Sequence, residues 1–179
     1  MRVYLPATLS MLSQLTDSHQ FAAIGGTGFA LTPALRESYS VGDDEELSEA
    51  AMREAARASL RLLAAEPGVL DPDVDDDGTH AALPPRRVVV AADVDDDEVT
   101  LRPDLEPAVV KIGVPVPIAD IASVHVDAAD AESAIRVAAE VIDAADMGDE
   151  DAELAVGDVD DHDLAWYATQ EIPFLLDLL

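Results

Sequence analysis

Residues 40–66 read SVGDDEELSEAAMREAARASLRLLAAE, and residues 87–92 read RVVVAA. The first stretch has four acidic residues near its start, alanine and leucine at helical spacing, and Pro67-Gly68 after it. Because acidic residues are favoured at a helix N-terminus and Pro-Gly ends a helix, this stretch predicts a long helix. The second stretch is a run of β-branched residues, which is typical of a buried strand.

The rest of the chain alternates short strands and helices. Further strands are predicted at residues 2–6, 29–32, 108–116 and 122–126, and further helices at 8–15, 127–145, 149–156 and 161–171. We expect the 108–116 strand to pair with the 87–92 strand as a hairpin. This order predicts an α+β fold: one domain over residues 1–179, with a small mixed sheet of about four to five strands, helices packed on it, and acidic surface loops near 68–85 and 93–107.

Acidity dominates the composition, since 38 Asp and Glu stand against 10 Lys and Arg in 179 residues and give a net charge of -28. A surface this negative repels DNA, RNA and anionic lipid, so we expect no direct nucleic-acid binding and no membrane binding. Basic protein partners are favoured instead. The chain has no Cys, no long apolar stretch and no signal-peptide pattern, which favours a cytoplasmic location.

Arginines recur every four residues on the predicted long helix, at Arg53, Arg57 and Arg61, in the same row as Glu45 and Glu49. One interpretation is a set of i,i+4 ion pairs with Glu49 and with neighbouring acidic elements, each stabilising the helix by a few tenths of a kcal/mol. The alternative is a binding site for an anion or an acidic partner.

The residues GGTGF at 25–29 resemble the glycine loop of dinucleotide-binding short-chain dehydrogenases. That loop needs a helix directly after it, whereas residues 29–32 predict a strand. We therefore expect a turn here and no bound cofactor.

Residues 73–78, DVDDDG, reproduce the first half of a calcium-binding loop, with candidate ligands at Asp73, Asp75 and Asp77. The second half is missing, because Pro84 stands where the bidentate glutamate belongs. A solvated acidic loop is the favoured interpretation, with a calcium site as the alternative.

The C-terminal stretch GDEDAELAVGDVDDHDLAWYATQEIPFLLDLL contains the only Trp of the chain. His162, Trp166, Tyr167 and Gln170 are the candidate residues for a ligand or partner site here, since a histidine among carboxylates can act as a base or a metal ligand. The alternative is structural: Asp160 or Asp161 caps a last helix with His162 in its first turn, and the two aromatic residues anchor that helix.

Five segments together are similar to a family of small uncharacterised actinobacterial proteins: YLPATL at 4–9, FALTPALRESY at 29–39, AARASLRLL at 55–63, PRRVVVAADV at 85–94 and HDLAWYATQEIP at 162–173. The resemblance covers nearly the whole chain except the two Asp-rich loops. It implies a lineage and a cytoplasmic location, and it assigns no residue a role.

Two functions follow as hypotheses. The first is a non-enzymatic cytoplasmic interaction or regulatory protein, because no motif forms a complete catalytic set and the charge suits basic partners. The alternative is an enzyme or binder of small molecules or metals that uses the C-terminal His, Trp, Tyr and Gln.

Overall fold

The secondary structure alternates helices with short strands along the chain. A computed structural model describes residues 1–70 and 83–179. Within these residues the helices are α1 (Leu9–Ser18), α2 (Pro33–Ser38), α3 (Asp44–Ala65), α4 (Glu132–Asp146), α5 (Glu150–Asp160) and α6 (Ile172–Asp177). The strands are β1 (Arg2–Ala7), β2 (Gln20–Phe21), β3 (Thr27–Phe29), β4 (Val88–Asp93), β5 (Val99–Leu101), β6 (Val109–Ile112), β7 (Val116–Pro117), β8 (Ile121–Asp127) and β9 (Leu164–Tyr167).

Seven strands form one sheet in the order β5-β6-β3-β1-β4-β8-β9, and β2 pairs with β7 apart from it. Every pair is antiparallel. The α+β class is confirmed, but the sheet is larger than predicted and is not mixed. The prediction missed β5, whose three residues carry too little alternation to be recognised.

The central strand β4 confirms the prediction from its β-branched run. It pairs with β1 on one side and with β8 on the other. Val88, Val89 and Val90 are fully buried, because helices cover both faces of the sheet at this strand. The predicted hairpin was wrong, however, since β6 pairs with β3 and β5 rather than with β4.

Different helices pack on the two faces of the sheet. On one face, α1 and α6 enclose alternate residues of the strands, among them Val3, Leu5 and Val90. On the other face, α3 packs on β3, β1 and β4 through small residues that include Ala51 and Ala55. The C-terminal half of α3 packs against the α4–α5 hairpin.

The long helix α3 begins as predicted, at an acidic N-terminus. The Asp43 carboxylate accepts hydrogen bonds from the backbone N–H groups of Glu45 and Glu46, both at 3.0 Å, and the Glu46 carboxylate accepts one from Asp43 N–H at 3.1 Å. A cap of this kind stabilises a helix by about 1 kcal/mol. No helix in residues 1–70 and 83–179 has the length and apolar character needed to cross a membrane.

The prediction of a helix over 161–171 was wrong. Helix α5 ends at Asp160, and His162 N–H bonds to the Val159 carbonyl at the end of that helix instead of opening a new one. Residues 164–167 then form β9, which pairs with β8 at the edge of the sheet. The alternating, aromatic sequence LAWY fits a strand, and the unpaired edge of β8 supplies the hydrogen bonds that stabilise it.

Candidate functional site

A groove lies on the α3 side of the sheet, between the first turns of α3 and the strands β1, β4, β8 and β9. Its volume is about 320 Å³. The floor comes from alternate residues of β1, β4, β8 and β9, and one wall comes from the first turns of α3. We call it the α3 groove and define it by Tyr4, Glu45, Glu49, Ser123, His125 and Trp166.

Strand register places the floor residues side by side. Tyr4 lies opposite Ala91, Ala91 lies opposite Ser123, and His125 lies opposite Trp166. Because side chains alternate between the two faces of a sheet, the residues that lie between the floor residues along each strand point into the core on the other face. The fully buried Val124 and Val126 are those residues in β8.

Trp166 is the largest apolar group of the groove, and 60% of it is exposed. It lies on β9, the last strand in the sheet order. An indole in this position offers its face to a ligand or partner, and indoles bind both apolar groups and cations.

His125 is half-buried, and its Nε2 atom lies 3.1 Å from the Ser123 Oγ atom. Burial lowers the pKa of the His125 imidazole below its usual value, and the positive charge of Arg2 lowers that pKa further. The imidazole is therefore neutral at pH 7 and adds no positive charge to the groove.

Carboxylates dominate the charge of the groove. Arg2 at its end is neutralised by a bidentate pair with Asp93, at 2.7 and 2.9 Å. Arg53 is paired with Glu49 at 2.5 Å. Glu45 forms no salt bridge with any residue in the described part of the chain. The site thus favours a cationic group over an anionic one.

A smaller cleft of about 50 Å³ continues from the α3 groove past Glu49 and Met52 towards His162. Arg87 lines this cleft and forms a buried pair with Asp127; the two residues are 2% and 0% exposed. Arg87 donates Nε–H and Nη2–H to the Asp127 carboxylate at 2.9 and 2.8 Å. Arg87 also donates to the His162 carbonyl at 2.8 Å. This pair therefore joins β4 and β8 to the segment that leads into β9.

The four C-terminal candidate residues do not form one site. Trp166 lies in the α3 groove, and His162 lies in the smaller cleft. Tyr167 packs against the core on the opposite face of the sheet. Gln170 is exposed in the turn after β9. The helix predicted here would have placed Trp166 and Gln170 on one face, but the strand separates them.

The arginine stripe divides between two environments. Arg53 lines the smaller cleft. Arg57 and Arg61 instead contact Asp146 of α4, at 3.2 and 2.7 Å. The hydrogen bond from Arg61 lowers the pKa of the Asp146 carboxyl below its usual value. These two arginines thus join α3 to α4, away from the α3 groove.

The glycine run at 25–29 leads into a strand, β3, rather than into a helix. Gly26 has φ +64°, and a Cβ atom there would lie 2.6 Å from the Ile112 carbonyl oxygen. A Cβ atom on Gly28 would lie 2.8 Å from Leu5 Cδ2. Backbone conformation and close packing thus account for these two glycines.

The candidate calcium ligands Asp73, Asp75 and Asp77 lie outside the described residues. Within residues 1–70 and 83–179, no group of three or more His, Asp or Glu side chains is arranged to hold a metal ion.

Sequence reasoning missed Tyr4, Ser123 and His125 as site residues. The signal was present in residues 121–127, IASVHVD, where small or polar residues alternate with apolar ones. Such alternation in an interior strand shows that one face of the sheet is not filled by core side chains. Only the strand order shows that these residues face the same groove as Trp166.

The fold and the groove together define an α+β protein with a seven-stranded antiparallel sheet and an acidic groove beside α3. The chain belongs to a family of unknown function, DUF6912, whose model matches residues 1–176. The curated proteins and the solved structures contain no match to the chain.

Proposed function

We propose that this is a non-enzymatic cytoplasmic interaction or regulatory protein that binds a basic segment of a protein partner in its α3 groove. The observation that carries the proposal is Trp166, an indole that is 60% exposed in a groove that Glu45 and the Arg53-paired Glu49 also line. Buried or half-buried positions are usual for tryptophan, so an exposed indole in a groove favours a binding role.

Charge supports a cationic occupant. A Lys or Arg side chain over the indole face gains about 0.5 to 2 kcal/mol, depending on how far it is desolvated. The carboxylate of Glu45 adds direct attraction, and the net charge of -28 draws basic proteins to the surface at long range. The neutral His125 adds no opposing charge, and the charges of Arg2 and Arg53 are offset by their pairs with Asp93 and Glu49.

The proposal is tested by affinity capture from extracts of the native host with three forms of the tagged protein: wild type, Trp166→Ala and Phe174→Ala. Phe174 is the matched control, because it is an exposed aromatic residue on α6, which packs on the opposite face of the sheet. We expect one stoichiometric partner that the wild type and Phe174→Ala retain at high salt and that Trp166→Ala loses.

Two results would reject the proposal. In the first, the same partner is captured equally by Trp166→Ala and by Phe174→Ala, which would place the interface elsewhere. In the second, all three forms capture only basic proteins that dissociate at about 1 M salt, where the Debye length is about 3 Å. Net charge alone would then explain the binding.

A second candidate function is binding or conversion of a small molecule in the same groove. The Ser123 and His125 pair favours it, since a hydroxyl within hydrogen-bonding distance of a neutral imidazole is the arrangement of a nucleophile and its base. Against it, Ser123 is only 5% exposed. Trp166 is the only Trp of the chain, so a change in its fluorescence with a small-molecule library reports ligands of the groove directly.

Ser123→Ala separates the two functions. It removes the hydroxyl and leaves Trp166 and the carboxylates in place. We expect capture of the protein partner to be unchanged, whereas a catalytic role of the pair would require the variant to lose all turnover of a ligand found in the screen.

A further inference from the structure

We propose that the basic partner segment binds in an extended conformation along β9 and becomes an eighth strand of the sheet. This inference rests on the proposed function and gives its binding mode. β9 is the last strand in the sheet order: β8 is its neighbour on one side, and no strand of residues 1–70 or 83–179 pairs with its other edge.

The hydrogen bonds of β8 show which backbone groups of β9 face the open edge. Asp127 N–H donates to the Arg87 carbonyl at 3.1 Å, so Asp127 directs its backbone groups towards the β4 side. Direction alternates along a strand, and Val126 and Val124 therefore direct theirs towards β9, where they lie opposite Ala165 and Tyr167. The remaining residues of β9, Leu164 and Trp166, direct their N–H and C=O groups away from the sheet.

These outward groups are free to pair with an added strand. Within residues 1–70 and 83–179, the backbone N–H and C=O groups of Leu164 and Trp166 have no hydrogen-bond partner. β9 also lacks the lysine, proline or bulge with which many edge strands block pairing. An extended peptide at such an edge gains main-chain hydrogen bonds, and its alternate side chains gain specificity.

The edge and the α3 groove are parts of one surface. The side chains of Leu164 and Trp166 lie on the α3 side of the sheet, and Leu164 lines the smaller cleft. A residue paired opposite Trp166 places its own side chain on that same face, next to the indole. An added strand therefore delivers every second side chain to the groove.

Charge selects a basic segment as the occupant of this edge. Acidic residues flank β9 on both sides, at Asp160, Asp161 and Asp163 before it and at Glu171 after it. A second copy of the chain would bring another net charge of -28 to the same edge, which repulsion disfavours. A segment with Lys or Arg at alternate positions complements both the edge and the groove.

The experiment uses a synthetic nine-residue peptide of alternating Lys and Val, acetylated and amidated, with Trp166 fluorescence as the readout. Two further peptides carry N-methyl groups on the backbone amide nitrogens. In one peptide these are the amides of all Lys residues, and in the other they are the amides of all Val residues. All three have the same charge, so differences in affinity report main-chain hydrogen bonds. Because N–H direction alternates along a strand, only one methylation pattern blocks the bonds to β9.

We expect one methylated peptide to lose at least about tenfold in affinity and the other to bind like the parent peptide. When the lysines face the groove, a loss of affinity on methylation of the Lys amides indicates that the peptide binds as an antiparallel strand. A loss of affinity on methylation of the Val amides indicates a parallel strand. Equal affinities of the two methylated peptides, or no binding of the parent peptide, would overturn strand addition.

The experiments distinguish failure of strand addition at β9 from failure of the proposed function. If capture of the native partner depends on Trp166 while the two methylated peptides bind equally, the groove binds a partner without strand addition. If sedimentation shows a dimer of the chain that the peptide dissociates, the edge is occupied by a second copy, and the proposal of a basic segment is overturned.

Discussion

The two faces of the sheet differ in how completely helices cover them. On the face under α1 and α6, the strand residues Val3, Leu5 and Val126 are fully buried. On the face under α3, coverage is incomplete at β8 and β9: Ser123 and Asp127 are buried, but His125 is half-buried and Trp166 stays exposed. The same strands thus supply a closed core on one side and a groove on the other, because side chains alternate along a strand. The closed face stabilises the fold, and the open face is where we expect binding.

Removing one partner of the Arg87–Asp127 pair should give the largest effect, since this pair holds the open face together. We expect Asp127→Ala to lower the free energy of unfolding by about 3–5 kcal/mol, because it leaves the buried guanidinium with only the more distant carboxylate of Asp160, at 3.9 Å. Chemical denaturation measures the change. Arg2→Ala, at the exposed pair with Asp93, is the control and should cost at most about 1 kcal/mol. Similar losses at both pairs would show that the burial of Arg87 contributes little.

Truncating one apolar residue on each face compares the two faces directly. Leu5→Ala on the closed face should cost about 2–5 kcal/mol, because it leaves a cavity in a packed core. Trp166→Ala on the open face removes a larger side chain and should cost at most about 1 kcal/mol, because most of the indole is already in water. Thermal and chemical denaturation of the two variants measure this difference. A larger loss at Trp166 would contradict an open face.

The pH dependence of stability reports the burial of His125 on the open face. Its pKa is lower in the folded chain than the usual 6.5, so the unfolded state takes up the proton first as pH falls. The stability from the neutral imidazole is therefore fully present above pH 6.5 and declines below it. We expect His125→Gln to lose this part of the pH dependence in denaturation curves collected between about pH 5 and 8.

Ser123→Ala is the control for that measurement. It removes the hydrogen bond at His125 Nε2 but leaves the burial of the imidazole and the nearby charge of Arg2 unchanged. Because burial is the main cause of the lowered pKa, this variant should keep the pH dependence of the wild type. Loss of the dependence in Ser123→Ala would assign the effect to the hydrogen bond.

The arginines of α3 should give the smallest effects. Arg61→Ala removes a partly exposed pair that joins α3 to α4 and should cost up to about 1 kcal/mol. Arg53→Ala removes a pair within one helix, next to the open face, and should cost a few tenths of a kcal/mol. Thermal melts at low salt measure both. A larger loss at Arg53 than at Arg61 would show that Arg53 supports the groove wall.

Much of the fold could be predicted from local patterns. The acidic cap of α3 and the apolar run of β4 each carry their own signal, because capping and burial on both faces leave a mark in a few consecutive residues. The segment 161–171 misled the prediction, since acidic residues before an apolar stretch are also typical of a helix N-terminus. What decided in favour of a strand was the free edge of β8, which local sequence does not contain.

The candidate site was predicted only in part. Trp166 stood out as the only Trp, and Arg53 stood out by its spacing, whereas Tyr4 carried no mark of its own and His125 was marked only by the alternation of residues 121–127. Tyr4 and Trp166 are 162 positions apart in the chain, and strand pairing brings them to one floor through β4 and β8. Sequence spacing cannot predict a site that is assembled across four strands.

The amino-acid sequence by itself determined the α+β class, the long helix α3, the central strand β4 and the strongly negative net charge of -28. These properties follow from composition and from periodicity within single elements, which the chain carries locally. Only the tertiary structure decided the strand order, the exposed edge at β9 and the α3 groove. They depend on hydrogen bonds between distant strands and on where α3 stops covering the sheet, and both are properties of packing rather than of any one segment.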